Sequence, residues 1–399
     1  MSTFDPSFLM PITQRPAPVM VRGEGSWLWD REGRRYLDFV QGWAVNCLGH
    51  CPEVVQCALA EQSTLLLNAS PAYQTEPQAE LARVLCTLAG MDHAFFGATG
   101  AEANEGAIKL ARRWGSKQRA GAYEIITTHG SFHGRTLATM AASGKPGFDT
   151  RFPPAVPGFV KVPYGDAGAI ARAITDKTVA VMLEPIQGEA GVVVPPDGYL
   201  RSVRELTERA GVLLVLDEVQ TGVGRTGTLF AAEHEGIRPD VMTLGKGLGG
   251  GVPLSALLAT KDASCFDPGD QGGTFNGHPL SCAVGLAVLD VVSKPEFLAQ
   301  VRERGEDVRV GLEEVARKYG HAPPRGRGLL WALPLSQPIG PAIVRAALQE
   351  GLLINSPQPD LLRLMPALNV TTAEVGEMAK RLVRVLGASM NVSRNNPVQ

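Results

Sequence analysis

The sequence has no long apolar run. Its longest, Val212–Leu216 and Val179–Leu183, fall far short of the roughly 20 residues that a membrane-crossing helix needs. It also lacks a dominant charge: 38 Lys and Arg face 40 Asp and Glu, for a net −2, so no bulk field draws the chain to nucleic acid or to an anionic membrane. Cysteine is sparse and scattered, at Cys47, Cys51, Cys57, Cys86, Cys265 and Cys282 of 399 residues. A chain this long does not depend on a disulfide framework, and reduced thiols are expected. Cys47, His50 and Cys51 lie close enough to suggest a metal site, but no second ligand pair follows at zinc spacing, so they read as small buried residues. The first thirty residues carry Asp5, Pro6, Gln14, Arg15 and Arg22 and no continuous apolar stretch resembling a signal peptide, which makes a cytoplasmic location the expectation. No internal repeat or low-complexity tract is evident, and only the tail after Met390 reads as frayed.

What is present is ample apolar material, 44% of residues, together with 45 Gly and 29 Pro. That combination predicts a large core crossed by many tight connections. Trp27–Asp30 and Tyr36–Val40 flank the turn-like Arg31–Arg34 and predict a hairpin. From about residue 75 to 290, short apolar runs alternate with helix-like stretches and Gly-rich junctions, the pattern of βα units. The expected strands are His93–Phe96, Glu124–Thr128, Val179–Glu184, Val212–Asp217, Val241–Leu244 and Leu254–Thr260. Several are unbroken apolar runs, as suits strands covered on both faces. Beyond 295, an amphipathic stretch Phe297–Tyr319 precedes the apolar segments Gly328–Leu335, Leu352–Asn355 and Leu361–Pro366, and a helix over Ala373–Leu386 closes the pattern. The fold class expected is α/β: a mostly parallel, helix-sandwiched sheet forming a large domain over 61–295, with a smaller α+β domain built from both chain ends, 1–60 and 296–399.

In an open parallel sheet the ligand sits at the carboxyl ends of the strands. Three such ends carry chemistry here. His93–Phe96 passes into Gly97-Ala98-Thr99-Gly100-Ala101-Glu102 and then a helical stretch, a junction whose free backbone N–H groups suit an anion. Val212–Leu216 ends in Asp217-Glu218-Val219-Gln220, an acid that burial disfavours without a cationic partner. Val241–Leu244 runs into Gly245-Lys246-Gly247; this lysine lacks the spacing of a phosphate-binding Walker loop but suits a desolvated amine that attacks a carbonyl. Anion cradle, carboxylate and amine match the phosphate, ring nitrogen and aldehyde of pyridoxal phosphate. A competing reading takes Gly222-Val223-Gly224-Arg225-Thr226-Gly227 as a dinucleotide fingerprint and the protein as a nicotinamide-dependent dehydrogenase, although five residues separate the strand from the first glycine and no clear helix follows.

The segments TGAEANEGAIKLAR, SFHGRTLATM, LEPIQGEAGVV, LDEVQTGVGRTG, DVMTLGKGLGGGVPLSALLA and GGTFNGHPLSCAV resemble, in order and spacing, those of class III pyridoxal-phosphate-dependent aminotransferases of fold type I. Within that class the likeness is greatest to acetylornithine aminotransferases, and it covers nearly the whole chain. The resemblance implies that Lys246 carries the cofactor as a Schiff base and later shuttles the substrate proton, and that Asp217 holds the ring nitrogen. Val219 and Phe132 would flank the ring, Gln220 would reach its hydroxyl, and Glu218 belongs to the same cofactor-binding run. Gly100 and Ala101 would offer N–H groups to the phosphate. Thr274 would come from the neighbouring subunit, which implies a homodimer with shared sites. Arg135 would take the distal carboxylate of an ω-amino donor, and Arg363 the α-carboxylate of glutamate or 2-oxoglutarate, with Glu189 pairing Arg363 when the ω-amine donor is bound.

Several positions depart from the commonest pattern of that class. Ala101 replaces a frequent Thr, Gly273 stands before Thr274 where a hydroxyl is common, Asn276-Gly277-His278 replaces Gly-Gly-Asn, and the bulky Trp43 sits where the donor pocket is shaped. A long acylated donor fits that ring. The implied reaction moves the terminal amine of N-acetylornithine to 2-oxoglutarate. Ornithine, succinylornithine, succinyldiaminopimelate and 4-aminobutyrate are the alternative donors. His129 and His133 read as packing or loop residues, with His133 close enough to line the site.

Overall fold

In the computed structural model, residues 5–395 are described. Their centre is a seven-stranded sheet. From edge to edge its strands are His93–Gly97, Ser255–Ala259, Val241–Leu244, Leu213–Asp217, Thr178–Leu183, Glu124–Thr128 and Phe159–Val162. Ser255–Ala259 runs antiparallel to both neighbours, and the strands from Val241–Leu244 to Phe159–Val162 pair in parallel. The mostly parallel sheet is as expected, with strand ends moved by a residue or two.

Strand side chains alternate between the two faces, and the packing follows that period. Val181, Leu183, Leu214, Leu216, Met242 and Leu244 enter one apolar cluster. Ala180, Met182, Leu213, Val215 and Val241 enter another, with Ala107, Ile108, Leu110 and Ala111 of the helix Gly100–Gln118. Both faces are covered, which is why these strands read as unbroken apolar runs. The strand Phe159–Val162 was not among those expected. At the sheet edge it is only partly buried and contains Lys161, so it lacks that signal.

The two ends of the chain meet in a second sheet. Its strands are Met20–Glu24, Trp27–Asp30, Arg35–Asp38 and Leu352–Leu353, the last pairing in parallel with Leu37 and Asp38. The expected hairpin is present, closed by the Asp30 carboxylate, which accepts from Arg34 N at 2.8 Å and from Tyr36 Oη at 2.6 Å. A three-stranded antiparallel sheet of Arg325–Arg327, Leu330–Pro334 and Leu361–Leu364 lies in the C-terminal part with helices Pro295–Tyr319 and Thr372–Asn395. That last helix runs beyond the expected Leu386, and the fraying expected after Met390 is corrected as far as Asn395. No proline interrupts its backbone ladder before Pro397; residues 396–399 lie outside those described.

Immediately after Arg35–Asp38 the chain makes one turn of left-handed helix, with φ of 49°, 60°, 66° and 65° at Gln41, Gly42, Trp43 and Ala44. Each of the three residues bearing a Cβ costs roughly 1–2 kcal/mol in that conformation. Among the described residues no helix is long and apolar enough to span a membrane.

Candidate active site

Strand ends from the centre of the large sheet converge on Lys246. The strand Val241–Leu244 delivers it through Gly245 into a short 3-10 turn, with the lysine itself at φ 42°. Its amine is set in the fields of Glu189, Arg363, Asp217 and Glu184, so the tertiary fold gathers residues up to 117 positions away. Burial, aided by the Arg363 charge, pulls this amine down to about 8.

Asp217 ends the neighbouring strand, buried to 4% exposure. Its Oδ2 accepts from Asn104 Nδ2 and faces His133 Nδ1, both at 2.8 Å, while Val219 N donates to Oδ1 at 3.0 Å. Asn104 is held in turn by Thr243 Oγ1, which donates to its Oδ1 at 2.7 Å, and by the carbonyl of His133 at 2.8 Å. Burial opposes charge on His133, but its bond to Asp217 and the negative charges of Asp217 and Glu184 outweigh that and raise its pKa. His133 is thus a partner of the central carboxylate, not a packing residue. Asn104 lies on the buried face of the helix Gly100–Gln118, beside Ala103, Ala107 and Ile108.

Thr99 caps the helix Gly100–Gln118 in a capping box with Glu102, which leaves the N–H groups of Gly100 and Ala101 in the first turn, where no carbonyl of the helix can reach them. The cradle is tight. A Cβ on Gly100 would lie 2.6 Å from Val219 Cγ1, and one on Gly245 would lie 3.2 Å from the same atom. Gln220 presents a buried side-chain amide with neither its nitrogen nor its oxygen hydrogen-bonded. Phe132 packs edge-on to Phe148, with ring centroids 6.1 Å apart. An anion-accepting helix end, a fixed carboxylate, a low-pKa amine and an unspent amide fit a phosphorylated pyridine aldehyde.

Two arginines stand differently. Arg135 is exposed, its guanidinium about equidistant from Phe132 and Phe148 at 5.9 and 6.0 Å. Arg363 is fully buried. It donates to Gly188 O at 2.9 Å and Asn355 Oδ1 at 3.1 Å, and its Nη2 pairs with Glu189 Oε1 at 2.7 Å. The carboxylate is disfavoured by burial, yet Arg363 keeps the Glu189 pKa below its usual value. Trp43 lies with its ring 5.7 Å from the Arg363 guanidinium carbon.

The family described as Aminotransferase class-III matches residues 11–386. The chain is a class-III aminotransferase. It is 53% identical to acetylornithine aminotransferase 2 of Bordetella bronchiseptica over 97% of this chain and 98% of that one. It is 54% identical to the acetylornithine aminotransferase of Ralstonia nicotianae, over 95% and 97%. Among solved structures, the ornithine aminotransferase of Toxoplasma gondii superposes with a TM-score of 0.92 at 32% identity, covering 96% of this chain and 93% of that one. The N-acetylornithine aminotransferase of Stenotrophomonas maltophilia gives 0.83 at 36%, over 94% and 97%. Class-III aminotransferases depend on pyridoxal phosphate and move an amino group from a donor to an oxo acid.

Within this aminotransferase some expectations need revision. Glu218 does not turn its carboxylate to the cradle: it accepts from Ala231 N at 2.6 Å, Ala232 N at 2.9 Å and Thr221 Oγ1 at 3.2 Å. Burial pushes this carboxyl up to about 7. Adjacent strand-end residues point to opposite sides, so Asp217 takes the site and Glu218 the loop behind it. Thr274 and Gly273 are exposed. Their loop is tied to the helix Gly100–Gln118 by Lys109 with Gln271 and by Arg113 with Asp270 at 2.9 Å.

Glu184 was missed as a separate participant. Buried near His133, Asp217 and Lys246, it accepts from Phe132 N at 2.9 Å and is pushed up to about 7 by burial. The glycine lattice 222–227 opens no helix. It is a turn whose Arg225 is buried and donates to Leu329 O and Pro366 O at 3.0 and 2.6 Å, which removes the dinucleotide reading. Among the described residues no cluster could hold a metal. Cys47 Sγ instead donates to Gly247 O at 3.1 Å, and His50 Nε2 lies 2.8 Å from Asp38.

Proposed function

We propose that this aminotransferase transfers the terminal amine of N-acetylornithine to 2-oxoglutarate, giving N-acetylglutamate semialdehyde and glutamate. The observation that carries the reading is the Lys246 amine, depressed to about 8 and sharing its surroundings with Asp217 and the Glu189–Arg363 pair. When bound, pyridoxal phosphate supplies an aldehyde for the amino group and a pyridinium ring that takes up the electron pair left by a departing proton.

The chain does the rest. Lys246 would hold the cofactor through its Nζ, and that amine, when free, would carry the proton to and from the substrate carbon. Asp217, fixed by three donors, would hold the ring nitrogen and favour its protonated form. Val219 and Phe132 would enclose the ring, Gln220 would meet its hydroxyl with the unspent amide, and the N–H groups of Gly100 and Ala101 would receive the phosphate. Arg135, with no carboxylate partner among the described residues, takes the carboxylate of the donor. Arg363 stays on Glu189 while the ω-amine donor is bound and exchanges it for the α-carboxylate of the oxo acid.

Thr274 reaches the phosphate of the neighbouring subunit's site, so two chains complete each centre. Support for this is its exposure together with the large apolar side chains Phe275, Tyr73 and Leu65, which stand 62%, 70% and 71% exposed. In this reading 1–60 and 296–399 form one small domain beside the large domain 61–295, in keeping with the pairing of Leu352 and Leu353 with the N-terminal strands, and the enzyme works in the cytoplasm.

The test compares kcat/KM for N-acetylornithine, ornithine, succinylornithine, succinyldiaminopimelate and 4-aminobutyrate with 2-oxoglutarate as acceptor. N-acetylornithine should lead. Preference for 4-aminobutyrate would reject the assignment.

A further inference from the structure

The left-handed turn at 41–44 is not a conformation that its residues choose for themselves, since Gln41, Trp43 and Ala44 all carry a Cβ. Asp38 holds it in place. Its Oδ1 accepts from Val40 N at 2.8 Å and from Gln41 N at 3.0 Å, while Gln41 Nε2 returns a bond to Asp38 O at 3.1 Å. Its Oδ2 lies 2.8 Å from His50 Nε2, and His50 Nδ1 lies 3.4 Å from Asn46 Nδ2. Those two contacts together suit an imidazole protonated on Nε2, donating to the carboxylate and accepting from the amide. The turn also leaves Gln41 Oε1 buried without a hydrogen-bond partner, a second unfavourable feature retained beside the site.

What the strain delivers is the indole. Trp43 stands half exposed, with its ring 5.7 Å from the guanidinium carbon of Arg363. An extended or right-handed segment would aim the same side chain elsewhere. We propose that Asp38 and His50 are positioning residues for Trp43: they pin the left-handed turn that sets the indole against Arg363, and through it they set selectivity among amine donors. This rests on the reading of Trp43 as a wall of the donor pocket.

The experiment is a double-mutant cycle on the cofactor-loaded enzyme with Asp38→Ala, Trp43→Ala and both together. It is read as the ratio of kcat/KM for the preferred donor to that for the next best. Each single variant should lower the ratio about tenfold, and the pair should lower it no further than either alone. Asp38→Asn keeps an oxygen for the two amides and should hold the ratio within about twofold of wild type. A readout independent of activity is acrylamide quenching of the Trp43 fluorescence, taken as the difference between proteins with and without that tryptophan, and it should change in Asp38→Ala. If Asp38→Ala does not fold, His50→Ala, which removes the donor to Asp38, carries the same expectations. Multiplying effects in the pair, an equal loss for every donor, or unaltered quenching overturns the proposal. The cycle is run on whichever donor wild type prefers, so a preference other than N-acetylornithine refutes the assigned reaction while the coupling still judges the pin.

Discussion

At the scale of single residues, the centre depends on one amine that gives up its proton more readily than lysines usually do. Burial and the Arg363 charge take Lys246 from 10.5 to about 8, with Glu189, Asp217 and Glu184 acting in the opposite direction. The nucleophile is the unprotonated amine, so reactivity should increase as pH rises through that value. In cofactor-free protein, borohydride-trapped attachment of pyridoxal phosphate at Lys246, located by mass spectrometry, should rise with a midpoint near pH 8. A midpoint near 10.5 would show that the amine is as well solvated as an ordinary surface lysine. Lys246 and Asp217 could be picked out along the chain, because each breaks a local expectation, a lysine among glycines and an acid ending an apolar strand; Arg363 and Glu189 rest on the family resemblance. Asn104, Glu184 and His133 could not be assigned that way. Their roles exist only as bonds to residues between 52 and 113 positions distant.

At the scale of elements, the strand Leu213–Asp217 serves two purposes at its end. Asp217 faces the cradle, and Glu218 organises the following loop by accepting from Ala231 and Ala232. Removing that carboxyl strands two buried N–H groups, at about 1–3 kcal/mol each. Glu218→Ala should therefore lower stability by about 2–6 kcal/mol, read from the urea unfolding midpoint. It should leave the pH midpoint at Lys246 in place, whereas a shifted midpoint would return Glu218 to the cofactor-binding set. Adjacency misled here: DEVQ reads as one functional run, but side chains at a strand end alternate in direction. The edge strand Phe159–Val162 escaped notice for a related reason, since only strands buried on both faces announce themselves as apolar runs.

At the scale of the whole molecule, the loop bearing Gly273 and Thr274 is exposed on this chain, although the proposed reaction needs Thr274 at a phosphate. A shared site makes a complementation test possible. Lys246→Ala and Thr274→Glu should each be inactive, the second because an acid repels the phosphate. In a dimer of one of each, one site pairs the intact lysine with the intact threonine. Re-association of an equal mixture should then restore about a quarter of wild-type activity, the share expected when half the dimers are mixed and one of their two sites is whole. A mixture that stays inactive would count against sharing.

Period, composition and motif order were enough to determine the parallel, doubly covered sheet, the lysine and carboxylate at neighbouring strand ends, and the class of chemistry. Those depend on local pattern: apolar runs of strand length, small residues at junctions, and charged groups where burial penalises them. Only the tertiary structure decided which way each side chain faces and what it meets. It set His133 on Asp217, turned Glu218 away, closed Glu189 onto Arg363, and forced residues 41–44 into a left-handed turn beneath Trp43. The physical reason is that hydrogen bonds and ion pairs between distant residues form only once the chain has packed. Their strength also depends on a desolvation that no stretch of sequence carries by itself.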